Sequence, residues 1–115
     1  MSEWNPASVE DAIQKTVERL EKGVKMVDEA YRAFQKADLD YDIAEAKAFL
    51  RAEGSVDARK KQTVLETVEQ RIARDAADAD YRVMEKNGKA LERKLDALRS
   101  IGSSVRQAYA QGIGT

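Results

Sequence analysis

At 115 residues, with 43% apolar and 36% charged side chains and a net charge of −1, the chain has room for one domain with a thin core and much exposed surface. It contains no Cys and no His, which excludes disulfides, thiolate nucleophiles, Ser-His and Cys-His catalysis and His-ligated metals. Ala, Glu, Lys, Leu and Arg dominate, Pro occurs once and aromatics make up 6%, a composition of long helices or coiled coils.

Trp4-Asn5-Pro6 reads as a short lead-in over residues 1–7, with Asn5 or Ser8 as N-cap and Ser8 to Asp11 spaced as a capping box. A first helix is expected over 8–52. From Ile13 the apolar residues Ile13, Val17, Leu20, Val24, Val27, Tyr31 and Phe34 alternate by four and three, the spacing of a coiled-coil seam, and are expected to form an oligomer interface. After Phe34 the alternation resumes three residues early at Ala37, Tyr41, Ala44 and Ala48, which predicts a stammer or a break near 36–40. Asp38, Asp40 and Asp42 have the spacing that opens a calcium loop, but Ile43 and Phe49 stand where that loop needs Gly and a carboxylate.

Gly54 can adopt the left-handed conformation that ends a helix, and Ser55 can cap the next one, so the pair predicts a chain reversal. The fold class that follows is all-α, a long antiparallel helical hairpin, coiled-coil-like, that turns near Gly54 and self-associates. A second helix is expected over 56–110, with Leu65, Val68, Ile72, Ala76, Ala79 and Val83 along its apolar face. Residues equidistant from Gly54 should then face each other, setting Ile72 to Ala79 beside Val27 to Phe34. The helix is expected to run continuous or slightly kinked through Gly88, with Gly102 a second weak point, and 111–115 to form a frayed tail.

Charge is distributed unevenly. Residues 1–53 carry 12 acids and 8 bases, whereas 86–115 carry 2 acids and 6 bases, so a hairpin sets a basic segment beside an acidic one. Arg82, Lys86, Lys89 and Arg93 share one helical stripe, which either pairs with acids of the first helix or meets an anion such as the phosphates of single-stranded DNA. No aromatic interleaves with it, so base stacking is not indicated. Asp75, Asp78 and Asp80 lack the Glu-x-x-His partners of di-metal bundles, Ser103 and Ser104 have no base beside them, and no Gly-rich phosphate loop is present. No catalytic residue, cofactor or metal site is therefore expected. No apolar run reaches about 18 residues and no signal-peptide pattern opens the chain, so the expectation is a cytoplasmic protein without a membrane partner.

Tyr41-x-x-Ala44-x-Ala46-Lys47-x-x-Leu50-x-Ala52-Glu53-Gly54-Ser55-Val56, then Arg71 to Ala79 with Tyr81, then Ala90-Leu91, Leu98-Arg99-Ser100 and Val105-Arg106, occur in an order that resembles small helical proteins of tailed bacteriophages. The resemblance covers about two thirds of the chain. It implies a location in the bacterial host cell, a setting among recombination and replication genes, and a phage or host DNA-metabolism protein as partner; it implies no catalytic residues. The functional expectation is a non-enzymatic, homo-oligomeric module that binds protein or DNA. Two alternatives are a counter-defence protein that holds a host factor or nucleotide signal between subunits, and a coiled-coil assembly component.

Overall fold

The computed structural model describes residues 4–112, and over these the protein is an all-α helical hairpin. The first three residues of the expected lead-in and the last three of the expected tail lie outside the described residues. Helix α1 spans Pro6–Arg51, α2 spans Val56–Glu66 and α3 spans Val68–Ala110. Asn5, not Ser8, caps α1. Its side-chain oxygen accepts from the Ser8 N–H at 2.9 Å, and the Ser8 hydroxyl accepts from the Asn5 N–H at 2.9 Å. Pro6 then fills the first helical position, where the missing N–H costs nothing.

The reversal lies at residues 52–55. Gly54 has φ 105°, and Ser55 is extended with its side chain accepting from the Ala58 N–H at 3.2 Å. Side chains of α2 complete the joint. Arg59 lies over the Phe49 ring, 4.3 Å from its centroid, and donates to the Phe49 carbonyl at 2.9 Å; Gln62 donates to the Glu53 carbonyl at 2.8 Å. Carbonyls that the end of a helix leaves without partners are thus bonded from the next helix.

The break expected near 36–40 does not occur, because α1 is continuous there. Its inward positions are Ala30, Phe34, Ala37, Tyr41, Ala44 and Ala48, an unbroken alternation of four and three with no stammer to accommodate. The second arm is interrupted at Thr67 instead, while Gly88 and Gly102 lie within α3. Thr63, Val64, Thr67 and Val68 place four β-branched residues in six positions, and the Thr67 hydroxyl donates to the Thr63 carbonyl at 2.7 Å. Restricted rotamers and a side chain that competes for a helix carbonyl both weaken a helix at that point.

The chain forms two compact bodies, Met1–Met26 with Glu85–Thr115 (the terminal body) and Val27–Met84 (the loop-end body). In the terminal body Val9, Leu95 and Leu98 are buried, together with Thr16 and Gly102. Gly102 lets the helices approach closely, since a Cβ there would lie 3.1 Å from Val9 Cγ1. In the loop-end body the Tyr31 ring centroid lies 5.1 Å from that of Tyr81, Phe34 stacks on Tyr81 at 6.5 Å, and Arg74 donates to Asp38 at 2.7 Å. These pairs correct the expected register. Phe49 and Arg59 are equidistant from Gly54, but Asp38 lies 16 residues before it and Arg74 20 after, a shift of one helical turn on the segment that contains the Thr67 interruption. Tyr31 and Phe34 consequently meet Tyr81 rather than the Ile72 to Ala79 segment.

Candidate interaction surfaces

Two stripes run along each arm of the loop-end body, and their chemistry is inverted. The inward stripe is Ala37, Tyr41, Ala44 and Ala48 on α1, facing Thr63 and Thr67 at the α2–α3 junction and Gln70, Arg74 and Ala77 on α3, all buried or half-buried. The threonines satisfy their hydroxyls on their own helix, Thr63 to the Arg59 carbonyl at 2.8 Å and Thr67 to the Thr63 carbonyl, and so present methyl groups inward. Gln70 Oε1 and Arg59 Nε are shut off from solvent without a hydrogen-bond partner. Arg74 is held by Asp38, which raises its guanidinium pKa above the ordinary value, and its charge lies 5.7 Å from the Tyr41 ring centroid.

Two residues along from the inward positions, about 200° around the helix, lie the outward ones. On α1 these are Leu39, Ile43, Ala46 and Leu50; on α2 and α3 they are Leu65, Ile72, Ala76, Ala79 and Val83, with Val68, adjacent to Thr67, at their margin, all of them exposed. Leu50 is 78% exposed, Leu65 76% and Ile72 63%. The second-arm face read from the sequence as the packing seam is therefore the outer face, because the polar Thr63-Thr67-Gln70-Arg74 row keeps the same spacing and takes the inner side.

The residues expected at an oligomer interface lie on two sides of α1. Ile13, Leu20, Val27 and Phe34, seven apart, are half-buried, and the small residues Thr16, Gly23 and Ala30 alternate with them on the inner side. Val17 is half-buried, Val24 is 71% exposed, and Tyr31 is exposed but packed on Tyr81. The α1 outer stripe was missed by sequence reasoning. Its 39-43-46-50 spacing carries a seam signal that the stronger Tyr41-Ala44-Ala48 alternation obscured.

The basic residues are all exposed on α3. Arg82 belongs to the loop-end body and donates to Asp78 at 3.0 Å. Lys86, Lys89 and Arg93 belong to the terminal body and make no ion pair among the described residues. Among the described residues Lys86, Lys89 and Arg93 thus do not make the expected pairing with acids of the first helix, and Arg74–Asp38 at 2.7 Å and Arg51–Glu66 at 3.3 Å link different elements within the loop-end body. Asp75 lies 3.9 Å from Arg71 and 3.8 Å from Arg74, and the described residues contain no group of three ligating side chains placed to hold a metal ion. Ser103 and Ser104 are exposed. No helix among the described residues is long and apolar enough to cross a membrane. Comparisons with family models, with curated proteins and with solved structures found no match to this chain.

Proposed function

We propose that the protein is a non-enzymatic, self-associating helical module whose loop-end body is the assembly surface. One observation carries this reading: the second arm turns Thr63, Thr67, Gln70 and Arg74 inward, and both arms turn Leu, Ile or Val outward, on stripes that keep the spacing of a helix-packing seam. A large apolar side chain left in water forfeits about 1.5–3 kcal/mol, so a row of them supports burial against another helix. Light scattering across a concentration series tests it. The expected result is a mass above the 12.9 kDa of one chain, rising with concentration; one-chain mass throughout overturns the reading.

A contact with nucleic-acid backbone is the second reading, favoured by Lys86, Lys89 and Arg93, which lie exposed on one stretch of α3 without carboxylate partners among the described residues. The resemblance to phage helical proteins supports a recombination or replication setting for such a contact. Three neutralised phosphates on a single strand give a salt slope of about −2, so raising salt fourfold should weaken binding about 20-fold. Fluorescence anisotropy with a labelled single strand measures this. Binding that survives the triple change Lys86→Glu, Lys89→Glu, Arg93→Glu removes the reading.

A further inference from the structure

The two outer stripes of the loop-end body differ from each other, and their differences are complementary. On α1 the 4-3 spacing extends backward through Lys36 and Arg32, so the stripe reads basic at one end and apolar at the other: Arg32, Lys36, Leu39, Ile43, Ala46, Leu50. On the second arm the large residues Leu65, Val68 and Ile72 stand nearest the turn, and Ala76 and Ala79 follow, flanked by Asp75 and Asp80. Lys36 and Asp80 are exposed and make no ion pair among the described residues.

Resting on the self-association reading, we infer that the occupant of each outer stripe is a second copy of this chain, joined head to tail: the α1 edge of one copy packs on the α2–α3 edge of the next. The intrachain pairs Tyr31–Tyr81 and Asp38–Arg74 fix which residues stand at the same height on the two arms. A second copy laid alongside in the same orientation therefore sets its Leu39 by Ile72, its Ile43 by Val68 and its small Ala46 by the large Leu65. Higher up, the aliphatic stems of Lys36 and Arg32 cross Ala76 and Ala79, which sets Lys36 by Asp75 and Arg32 by Asp80; within one chain Arg32 also pairs with Asp28 at 3.0 Å and Asp75 with Arg71 and Arg74, so these charges are shared with the new contact.

A two-fold pairing of α1 edges about Ile43 would set Lys36 on Leu50, and one of α3 edges about the alanines would set Asp75 against Asp80; a two-fold of α2–α3 edges centred between Gln70 and Arg71, with Leu65 on Ala76, is the rival arrangement, and in it the α1 variant keeps its size. The residues this contact would cover include Leu39 at 58% exposure, Leu65 at 76% and Ile72 at 63%, so the two stripes supply its apolar centre. Because the two stripes lie on opposite edges of the body, one contact leaves the other edge open, and addition continues as a row or closes as a ring.

The test uses the full chain with one edge altered at a time: Leu39→Glu with Ile43→Glu on α1, and Ile72→Glu on α3. All three positions are exposed in the single chain, so helicity by circular dichroism should not change. Light scattering should find wild type larger than a dimer and each variant alone a single chain, its dissociation constant raised at least about 100-fold. An equal mixture of the two variants should form a two-chain species and nothing larger, because each supplies the edge that the other lacks. Wild type that associates while either variant keeps its size, or while the mixture stays monomeric, overturns the head-to-tail contact and leaves self-association standing. Wild type that is monomeric overturns both. If an edge variant loses helicity, the single change Arg32→Asp should weaken association, and adding Asp80→Arg should restore it; failure of that rescue also overturns the contact.

Discussion

In the terminal body, Val9, Leu95 and Leu98 are buried, and the exposed positions are mostly charged on α1 and charged, small or polar on α3. In the loop-end body the one buried hydrophobic residue is Ala48, while ten large apolar side chains, Leu50 and Leu65 foremost, are exposed. The same two helices build both bodies, with the same spacing of inward positions. What differs is which residue types occupy those positions, so geometry alone does not decide which body is complete by itself. The terminal body keeps most of its large aliphatic side chains inside; the loop-end body carries most of its own outside.

The largest effects should come from attacking that contrast directly. Leu98→Ala removes a 4%-exposed side chain from the terminal body and should cost about 2–5 kcal/mol in urea unfolding, whereas Leu65→Ala at 76% exposure should shift single-chain stability by less than about 0.5 kcal/mol. Similar losses at the two sites would erase the distinction. The polar inner row of the loop-end body should tolerate, or gain from, apolar replacement. Gln70→Met removes an acceptor that has no partner, and the expected gain is about 1 kcal/mol, read as a raised denaturation midpoint.

Arg74 and Asp38 are each about two-fifths exposed, so solvent screens their pair, and a double-mutant cycle should return a coupling below about 1 kcal/mol. The smallest expected effect is at Tyr41, whose hydroxyl donates to Glu45 at 3.1 Å, a bond that raises its pKa above 10.0. Because the protonated phenol is the form favoured by folding, its contribution is complete below about pH 10 and lost as pH climbs through the raised value. The stability difference between wild type and Tyr41→Phe should therefore be flat from pH 7 to 9 and shrink above pH 10. A difference that grows with alkali would contradict the Tyr41–Glu45 bond.

Much of the fold was legible because local chemistry dictates it. Gly54 and Ser55 announce a stop and a start, and the observed φ and N-cap bond are the physical form of that signal. The every-seventh residues Ile13, Leu20, Val27 and Phe34 were also readable, but their inward partners were not, because Val17, Val24 and Tyr31 outweigh Thr16, Gly23 and Ala30 when hydrophobicity sets the phase. On the second arm the same bias selected Leu65, Ile72 and Val83 over Thr63, Thr67, Gln70 and Arg74. A better guide was continuity: the spacing that includes the threonines runs unbroken from Thr63 to Val105, through Ala77, Leu91 and Leu98, whereas the apolar stripe gives way to Lys86 and Arg93. The stripe now proposed as an assembly edge was thus visible in the sequence, assigned to the wrong side of the helix.

The contact between Tyr31 and Tyr81 gives the molecule an optical reporter of its own. Rings 5.1 Å apart and tilted by 51° couple their electronic transitions, so the near-ultraviolet dichroism of this pair should register closure of the loop-end arms separately from the amide signal of helix content. An experimenter can thereby watch one half of the hairpin part while both helices persist, without attaching any label.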